Sequence, residues 1–444
     1  MLSVLKHRDY RHLFFAQVIA LFGTGLMTVG LALLAFELAG DNAGVVLGTA
    51  LAIKMVIYVF VSPLAIGFAA HLPRRALLVA LDLVRAATAL ALPFVDAIWQ
   101  IYLLIAVLQS ASATFTPTFQ ATIPDILPDE DEYTNALSLS RMAYDLENLL
   151  SPMIAAVLVG LLGFHWLFGG TVAGFLFSAL LVVSVTLPVA RMSQSEPPLQ
   201  RTLKGLQIYL KTPRLKGLLA LNLAVAASGS MVIVNGVVLV KAWLGLTDTD
   251  LALSMAAYGG GSMVMALLLP RVLSTVPDRT VMLAGAAALP VLLFGFALLL
   301  TVLPAALVWP SLLIVWALMG AGMSAVLVPS GRLLKNSAHA EDRPLIFAAQ
   351  FALSHGCWLI AYPLAGWLGS VAAPGWTMTV LAVLAVTGVL AARHLWPEGD
   401  RSVLAHEHPD LPPDHPHLAG GHGKRHAHAF VIDSLHSSWP DRQP

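Results

Sequence analysis

Long apolar runs bounded by charge, Pro or Gly dominate the chain. They fall at about 12–38, 44–70, 76–95, 97–118, 134–162, 165–189, 215–240, 251–270, 280–302, 305–328, 345–370 and 375–395. A helix needs about 20 apolar residues to cross a bilayer, so the pattern predicts twelve membrane-spanning helices. A transmembrane barrel would show short stretches of alternating apolar and polar residues, whereas 283–303 is apolar on every face. The expected fold class is therefore an all-α polytopic membrane protein.

Composition sharpens this. Of 444 residues, 58% are hydrophobic and 11% charged, less than half the charged share of a soluble protein. Lys plus Arg equal Asp plus Glu at 25 each, which leaves no basic excess for nucleic acid. One cysteine, Cys357, excludes an intramolecular disulfide and a Cys-built metal cluster. Lys6, Arg8 and Arg11 precede an apolar segment longer than a signal-peptide core, so the first span is expected to persist in the mature protein. With a cytoplasmic N-terminus, 21 of the 25 Lys and Arg fall in cytoplasmic segments. Lys54, Arg85 and Arg141 lie in spans, and only Lys241 lies outside. The positive-inside rule then places both termini in the cytoplasm.

The polar stretch 190–214 divides the chain into six spans on either side. The expected organisation is an N-terminal bundle at 1–189, a cytoplasmic linker at 190–214, a C-terminal bundle at 215–396 and a tail at 397–444. The halves echo one another. Leu72-Pro73-Arg74-Arg75 follows span 2, and Val276-Pro277-Asp278-Arg279 follows span 8, 204 residues later. Pro117 and Glu130-Asp131 recur as Pro329 and Glu341-Asp342. A parallel repeat with a site between its halves is a plan of secondary transporters.

These residues resemble the major facilitator superfamily from residue 1 to about 395. Gly67 through Arg75 keeps the Gly and the Arg pair, Arg74 and Arg75, of the family's signature loop after span 2. His71 and Leu72 occupy its Asp-Arg positions, so the latch that the resemblance ascribes to that Asp lacks its carboxylate here. Ser151-Pro152 with Ala155-Ala156 is similar to the span-5 turn of exporters in the family. Asn135 through Pro152, Arg332-Leu333-Leu334 and Phe347 through His355 are similar to the histidine-tailed nickel-resistance exporters. The resemblance implies a bacterial inner-membrane transporter that acts as a monomer, its cavity lined by spans 1, 4, 7 and 10.

Charges inside spans are the first candidates for machinery, because each costs about 2.5–3.5 kcal/mol at the bilayer centre on insertion scales. On span 5, Asp145 lies one turn beyond Arg141 and is expected to pair with it, while Glu147 falls on the opposite face. Glu147 is thus either paired with a basic group on another span or a carboxylate that exchanges a proton for cargo. Lys54 on span 2 is the expected counter-charge; Asp82 and Arg85 on span 3 read as a structural pair. Phe351, His355, Trp358 and Tyr362 form one stripe on span 11, and His355 is its candidate metal contact. Gln17, Thr24 and Thr28, Gln109, Ser112 and Thr116, and Asn222, Ser228 and Asn235 mark polar stripes on spans 1, 4 and 7. Met319 and Met323 lie one turn apart on span 10.

The 48 residues of the tail hold eight His, seven Pro and eleven charged residues, a composition expected to be largely disordered. His406, His408, His415, His417, His422, His426, His428 and His436, with Glu407, Asp410 and Asp414 among them, are candidate ligands for a borderline divalent cation. Phe430-Val431-Ile432, Leu435 and Trp439 form a candidate docking segment. The spans hold no His-Glu-x-x-His or comparable cluster, so an enzyme is not expected. The expected function is proton-coupled export of nickel, cobalt or another divalent metal, with no cofactor beyond that metal. The alternative is export of a drug or siderophore.

Overall fold

The computed structural model describes residues 1–69, 72–187, 197–398, 403–408, 412, 425–433 and 435–440. His71, Arg191, Asp410, Asp414, His415, His417 and His422 lie outside the described residues, as does the side chain of His406. The first half contains α1 (Arg8–Ala39), α2 (Ala43–Ala69), α3 (Arg74–Ala91), α4 (Ile98–Ile126), α5 (Glu130–Leu162) and α6 (His165–Val183). A linker helix α7 (Pro198–Lys211) follows. The second half contains α8 (Pro213–Ile233), α9 (Asp248–Leu273), α10 (Asp278–Val302), α11 (Ala305–Lys335), α12 (Arg343–Val371) and α13 (Pro374–Leu395). Twelve of these helices, all but α7, are long and apolar enough to span a membrane. They pack as two six-helix bundles.

Local chemistry sets several helix starts. Pro198, Pro213, Pro344 and Pro374 stand in the first turn of their helices, where a missing N–H costs nothing. Asp129 caps α5 by accepting from the Asp131 and Glu132 amides. Inside the spans, Pro did not act as the expected stop. Helix α4 runs through Pro117 and Pro124 to Ile126, and α11 runs through Pro329 to Lys335. Lipid offers no water to a broken backbone, so the helical bonds around each proline are kept. The seventh span is shorter than the 215–240 expected: α8 ends at Ile233, and a π-helical stretch follows at Val238–Trp243. The break falls where the Asn235 amide donates to the Ala365 carbonyl of α12 at 2.9 Å.

Small residues let helices approach within each half. A Cβ on Gly261 of α9 would lie 1.8 Å from the Ala317 carbonyl oxygen of α11, and one on Gly320 of α11 would lie 1.9 Å from that of Tyr258 on α9. Such mutual contact is how membrane helices associate without a hydrophobic drive. Trp99, Trp166, Trp367 and Trp376 are exposed at helix ends on the side away from the termini, as expected of an interfacial belt.

The linker is an amphipathic helix rather than a plain polar stretch. Lys204 of α7 pairs with Asp342 at 2.8 Å, and Thr202 donates to the Pro63 carbonyl of α2 at 3.1 Å. Gly67 is required here, since a Cβ would meet the Thr202 hydroxyl at 2.3 Å. In the tail, β1 (Val403–Glu407) and β2 (Arg425–Ala429) form an antiparallel ladder in which His406 lies opposite His426. Phe430 and Ile432 join the apolar core of the second half. Arg214 lies over the Trp439 ring at 5.3 Å, and Lys211 donates to the Ser437 carbonyl at 2.8 Å. His339, in the loop after α11, pairs with Asp433 at 3.2 Å. That hydrogen bond holds the imidazole above its ordinary pKa, with Asp342 and Glu341 adding to it against burial. The pair's contribution to docking is therefore greatest at low pH and is lost as pH rises through the raised value.

Gly320→Leu is expected to lower the thermal unfolding midpoint in detergent by several degrees, since overpacking costs about 1–3 kcal/mol. Gly356→Ala, whose Cβ meets open space, should leave the midpoint in place. Equal midpoints for the two variants would refute the close-packing account.

Candidate functional site

Two features lie between the halves: a layer of charge at the end that carries both termini, and a polar and aromatic group deeper in the membrane. The charge layer consists of two triads. In one, Asp125 at the end of α4 accepts from Arg74 at the start of α3 and from Arg343 at the start of α12, each at 2.5 Å. In the other, Arg332 near the end of α11 pairs with Asp278 at the start of α10 (3.2 Å) and with Glu130 at the start of α5 (2.9 Å). Each triad has two members in one half and the third in the other.

The two triads are opposite in sign: one is a carboxylate between two arginines, the other an arginine between two carboxylates. Arg74 and Asp278, 204 residues apart, hold the same place in the repeat with opposite charge. Arg74 is buried and its partner carboxylate nearly so, so neither is left facing apolar surroundings alone. Arg74, kept from the signature loop, thus has its carboxylate partner at the far end of the neighbouring span. Further ties close the same end: Arg332 donates to the Thr134 hydroxyl and Lys335 to the Pro128 carbonyl, both at 2.7 Å. Arg75, the other signature arginine, is exposed.

Deeper, α2, α4, α5 and α12 bring their candidates together. Lys54 Nζ lies 5.5 Å from the Tyr58 ring centre, one turn along α2. Tyr58 donates to Gln109 of α4 at 2.9 Å, and its ring meets Phe351 and His355 of α12 at 4.8 Å each. The His355 Nδ1 lies 2.7 Å from the Phe351 carbonyl. A carbonyl only accepts, so Nδ1 carries the proton and Nε2 keeps its lone pair. Glu147 lies against Gly25 of α1, where a Cβ would approach its Oε1 to 2.6 Å. It interacts with Lys54 through space without closing an ion pair.

Arg141 behaves differently. It binds Asp145 at 2.7 Å on its own helix and Ser262 of α9 at 2.9 Å in the other half. Asp82 and Arg85 pair inside the first half; Ser178 donates to Asp82, and the Arg85 guanidinium lies over Phe115 and Phe175. Gln17 accepts from Ser140 at 3.0 Å, next to the deeper group. Thr24 and Thr28 donate to carbonyls one turn back on α1. The structure does not bring Asn222 or Asn235 to the group: Asn222 is buried and donates to its own helix at Leu218, and Asn235 ties α12. Met319 is buried in the core of the second half, and Met323 accepts from Tyr258. Cys357 is buried.

Sequence reading missed Tyr58, Asp125 and Arg343. Tyr58 was signalled by its place one turn from Lys54. Asp125 was hidden because the fourth apolar run was ended at 118, before the helix that carries the carboxylate stops.

Two helical bundles, tied across at one end and enclosing polar groups at mid-depth, define a membrane transporter. The chain belongs to the Major Facilitator Superfamily, whose profile matches residues 13–309. It is 22% identical over 208 residues to the uncharacterized MFS-type transporter YfiS of Bacillus subtilis (strain 168), a match covering 45% of this chain and 48% of that protein. It spans about half the length of that curated relative. Its fold is similar to the human organic anion transporter MFSD10 (TM-score 0.73, 12% identity, covering 87% of this chain and 99% of that one). It is also similar to a bacterial homologue of the iron transporter ferroportin in the outward-facing state (TM-score 0.69, 13% identity, 87% and 98% covered). The proton:xylose symporter XylE is a third such neighbour (TM-score 0.69, 13% identity, 88% and 96% covered).

Arg332→Ala is expected to open the tied end. A cysteine placed at Leu137, which packs against Gly331 across the halves, should then react with a maleimide about tenfold faster in a Cys357→Ala background, equivalent to about 1.4 kcal/mol. An unchanged rate would refute the gating role of the second triad.

Proposed function

We propose that the protein exports a divalent metal cation, nickel or cobalt first, from the cytoplasm by proton antiport and alternating access in the bacterial inner membrane. The observation that carries this reading is Glu147: a carboxylate at mid-depth, facing Lys54 without an ion pair. A carboxylate so placed can hold a proton in one state and a cation in another. His355, with Nε2 presenting a lone pair, supplies a ligand type suited to borderline divalent metals.

Orientation follows from the basic residues. They concentrate at the end that carries both termini, which the positive-inside rule assigns to the cytoplasm. The triads then form the cytoplasmic gate, closed in this structure. Opening requires Arg343 to leave Asp125 and Glu130 to leave Arg332 as the halves rock about the mid-depth group. In the gate-open state Arg74 still neutralises Asp125, and Asp278 still neutralises Arg332. Each central charge thus keeps one partner in either conformation, while Arg343 and Glu130 exchange theirs for water.

The membrane potential constrains the exchange. Moving a dication outward against about 100 mV costs about 4.6 kcal/mol, at about 2.3 kcal/mol per charge. Two returning protons make the exchange electroneutral, which calls for more than one proton-accepting group. Glu147 and Asp145 are the candidates, with Arg141 and Lys54 as their counter-charges. The tail, with its eight histidines, collects the metal in the cytoplasm. A second reading, export of an organic compound such as a drug or siderophore, is favoured by the aromatic pair that Tyr58 and Phe351 make next to Lys54, with Trp358 and Tyr362 paired further along α12.

Glu147→Gln is expected to abolish proton-driven nickel uptake into inside-out vesicles while the protein inserts and folds; undiminished uptake would refute the coupling role. Growth of expressing cells across nickel, cobalt, zinc and an antibiotic panel separates the two readings, and protection against drugs alone would reverse their order.

A further inference from the structure

The loop between α11 and α12 lies between the second-half members of the two triads, Arg332 and Arg343, so whatever holds the loop also holds the gate. On the bundle side, Asn336 of this loop donates to Glu130 at 3.4 Å, and Arg214 donates to the Asn336 carbonyl at 2.7 Å. The tail holds it from the opposite side. His339 Nε2 lies 3.2 Å from Asp433 Oδ2.

Asp433 serves a second imidazole with its other oxygen. His436 Nδ1 lies 2.9 Å from Oδ1, which also accepts the Leu435 and His436 amides at 2.8 Å each. A carboxylate accepts only, so it fixes the proton of His436 on Nδ1 and turns Nε2 towards His408, the arrangement found behind metal-bound histidines. That Nε2 lies 3.2 Å from His408 Nε2. Two imidazole nitrogens bound to one zinc-like ion, each at about 2.0–2.1 Å, lie about 3.3 Å apart in a tetrahedron. The rings of His426 and His428 complete a quadrilateral with these two, its neighbouring centroids 5.0–5.3 Å apart. Among the described residues no three ligand side chains converge on one point, so binding starts at the His408–His436 pair, with water or a neighbouring imidazole completing the sphere.

We propose that the docked tail is a strap on the cytoplasmic gate, released when a borderline divalent cation enters between His408 and His436. With the pair empty, Asp433 gives one oxygen to His339 and the strap holds the loop. A dication on the Nε2 atoms puts two positive charges behind His436. It draws the single carboxylate towards that side and opposes the positive charge that His339 carries when bound to it. The tie to the loop weakens and the gate is freed to open when metal is present to be moved. The inference rests on the metal-export reading only for the choice of nickel as probe.

Backbone hydrogen exchange on the full-length purified protein in detergent, with and without nickel, tests this in the absence of transport, so its failure leaves the Glu147 result untouched. Amides of 336–342 are expected to exchange about fivefold or more faster with nickel bound, the lower end of ordinary coupling between sites. Asp433→Ala should exchange fast with or without nickel. His408→Ala, which leaves Asp433 and His339 in place, should stay slow and lose the response. Exchange that nickel slows or leaves unchanged in the wild-type protein while it binds would overturn the proposal, as would a full response in His408→Ala.

Discussion

A charge carried towards a bilayer needs a partner, and the two triads that tie the halves at the end carrying both termini meet that requirement in a specific way. Asp125 and Arg332 are the central members. Each has one partner in its own half and one in the other. The partner within the half is kept when the halves separate; the partner across is exchanged for water. Removing one member of a largely buried pair costs about 3–5 kcal/mol, so three-membered groups reduce the energy gap that simple pairs would leave between the closed and open gate.

The deeper group is built on the opposite principle. Arg141 is fully engaged, by Asp145 on its own helix and Ser262 on the other half, and so works as a tie. Glu147, on the other face of the same helix, interacts with Lys54 through space and lies against α1 at Gly25. The same span therefore carries a charge pair, in which Asp145 Oδ2 is buried without a hydrogen-bond partner, and a carboxylate outside any ion pair. Tyr58 links this group to both sides, since its hydroxyl binds Gln109 in the first half and its ring packs on His355 in the second. In the proposed cycle, rocking of the halves separates that ring contact and so changes the surroundings of His355 and Lys54 together.

Much of this was legible along the chain. Twelve apolar runs gave twelve spans because the bilayer enforces a minimum length, and the Arg141–Asp145 pair follows from helical spacing alone. The echo of Arg74 and Asp278 was visible as a repeat, but its meaning was not, because the partners Asp125 and Arg332 lie 51 and 54 residues further on. The tail illustrates the same limit. Its histidine content was plain, and its apolar segment was a candidate for docking. That Phe430 and Ile432 enter the core of the second half, and that Asp433 reaches His339, depends on surfaces more than 90 residues away.

The sequence by itself determined the number of spans and the pairing of charges a turn apart on one helix. These depend on hydrophobic length and on a fixed rise and twist per residue, both of which are local quantities. Only the tertiary structure decided that two triads of opposite sign tie the halves at one end, and that Lys54, Tyr58, Gln109, Glu147 and His355 share one region. Those contacts join residues from four spans and both halves, and nothing in the spacing of one helix specifies the face that another presents to it.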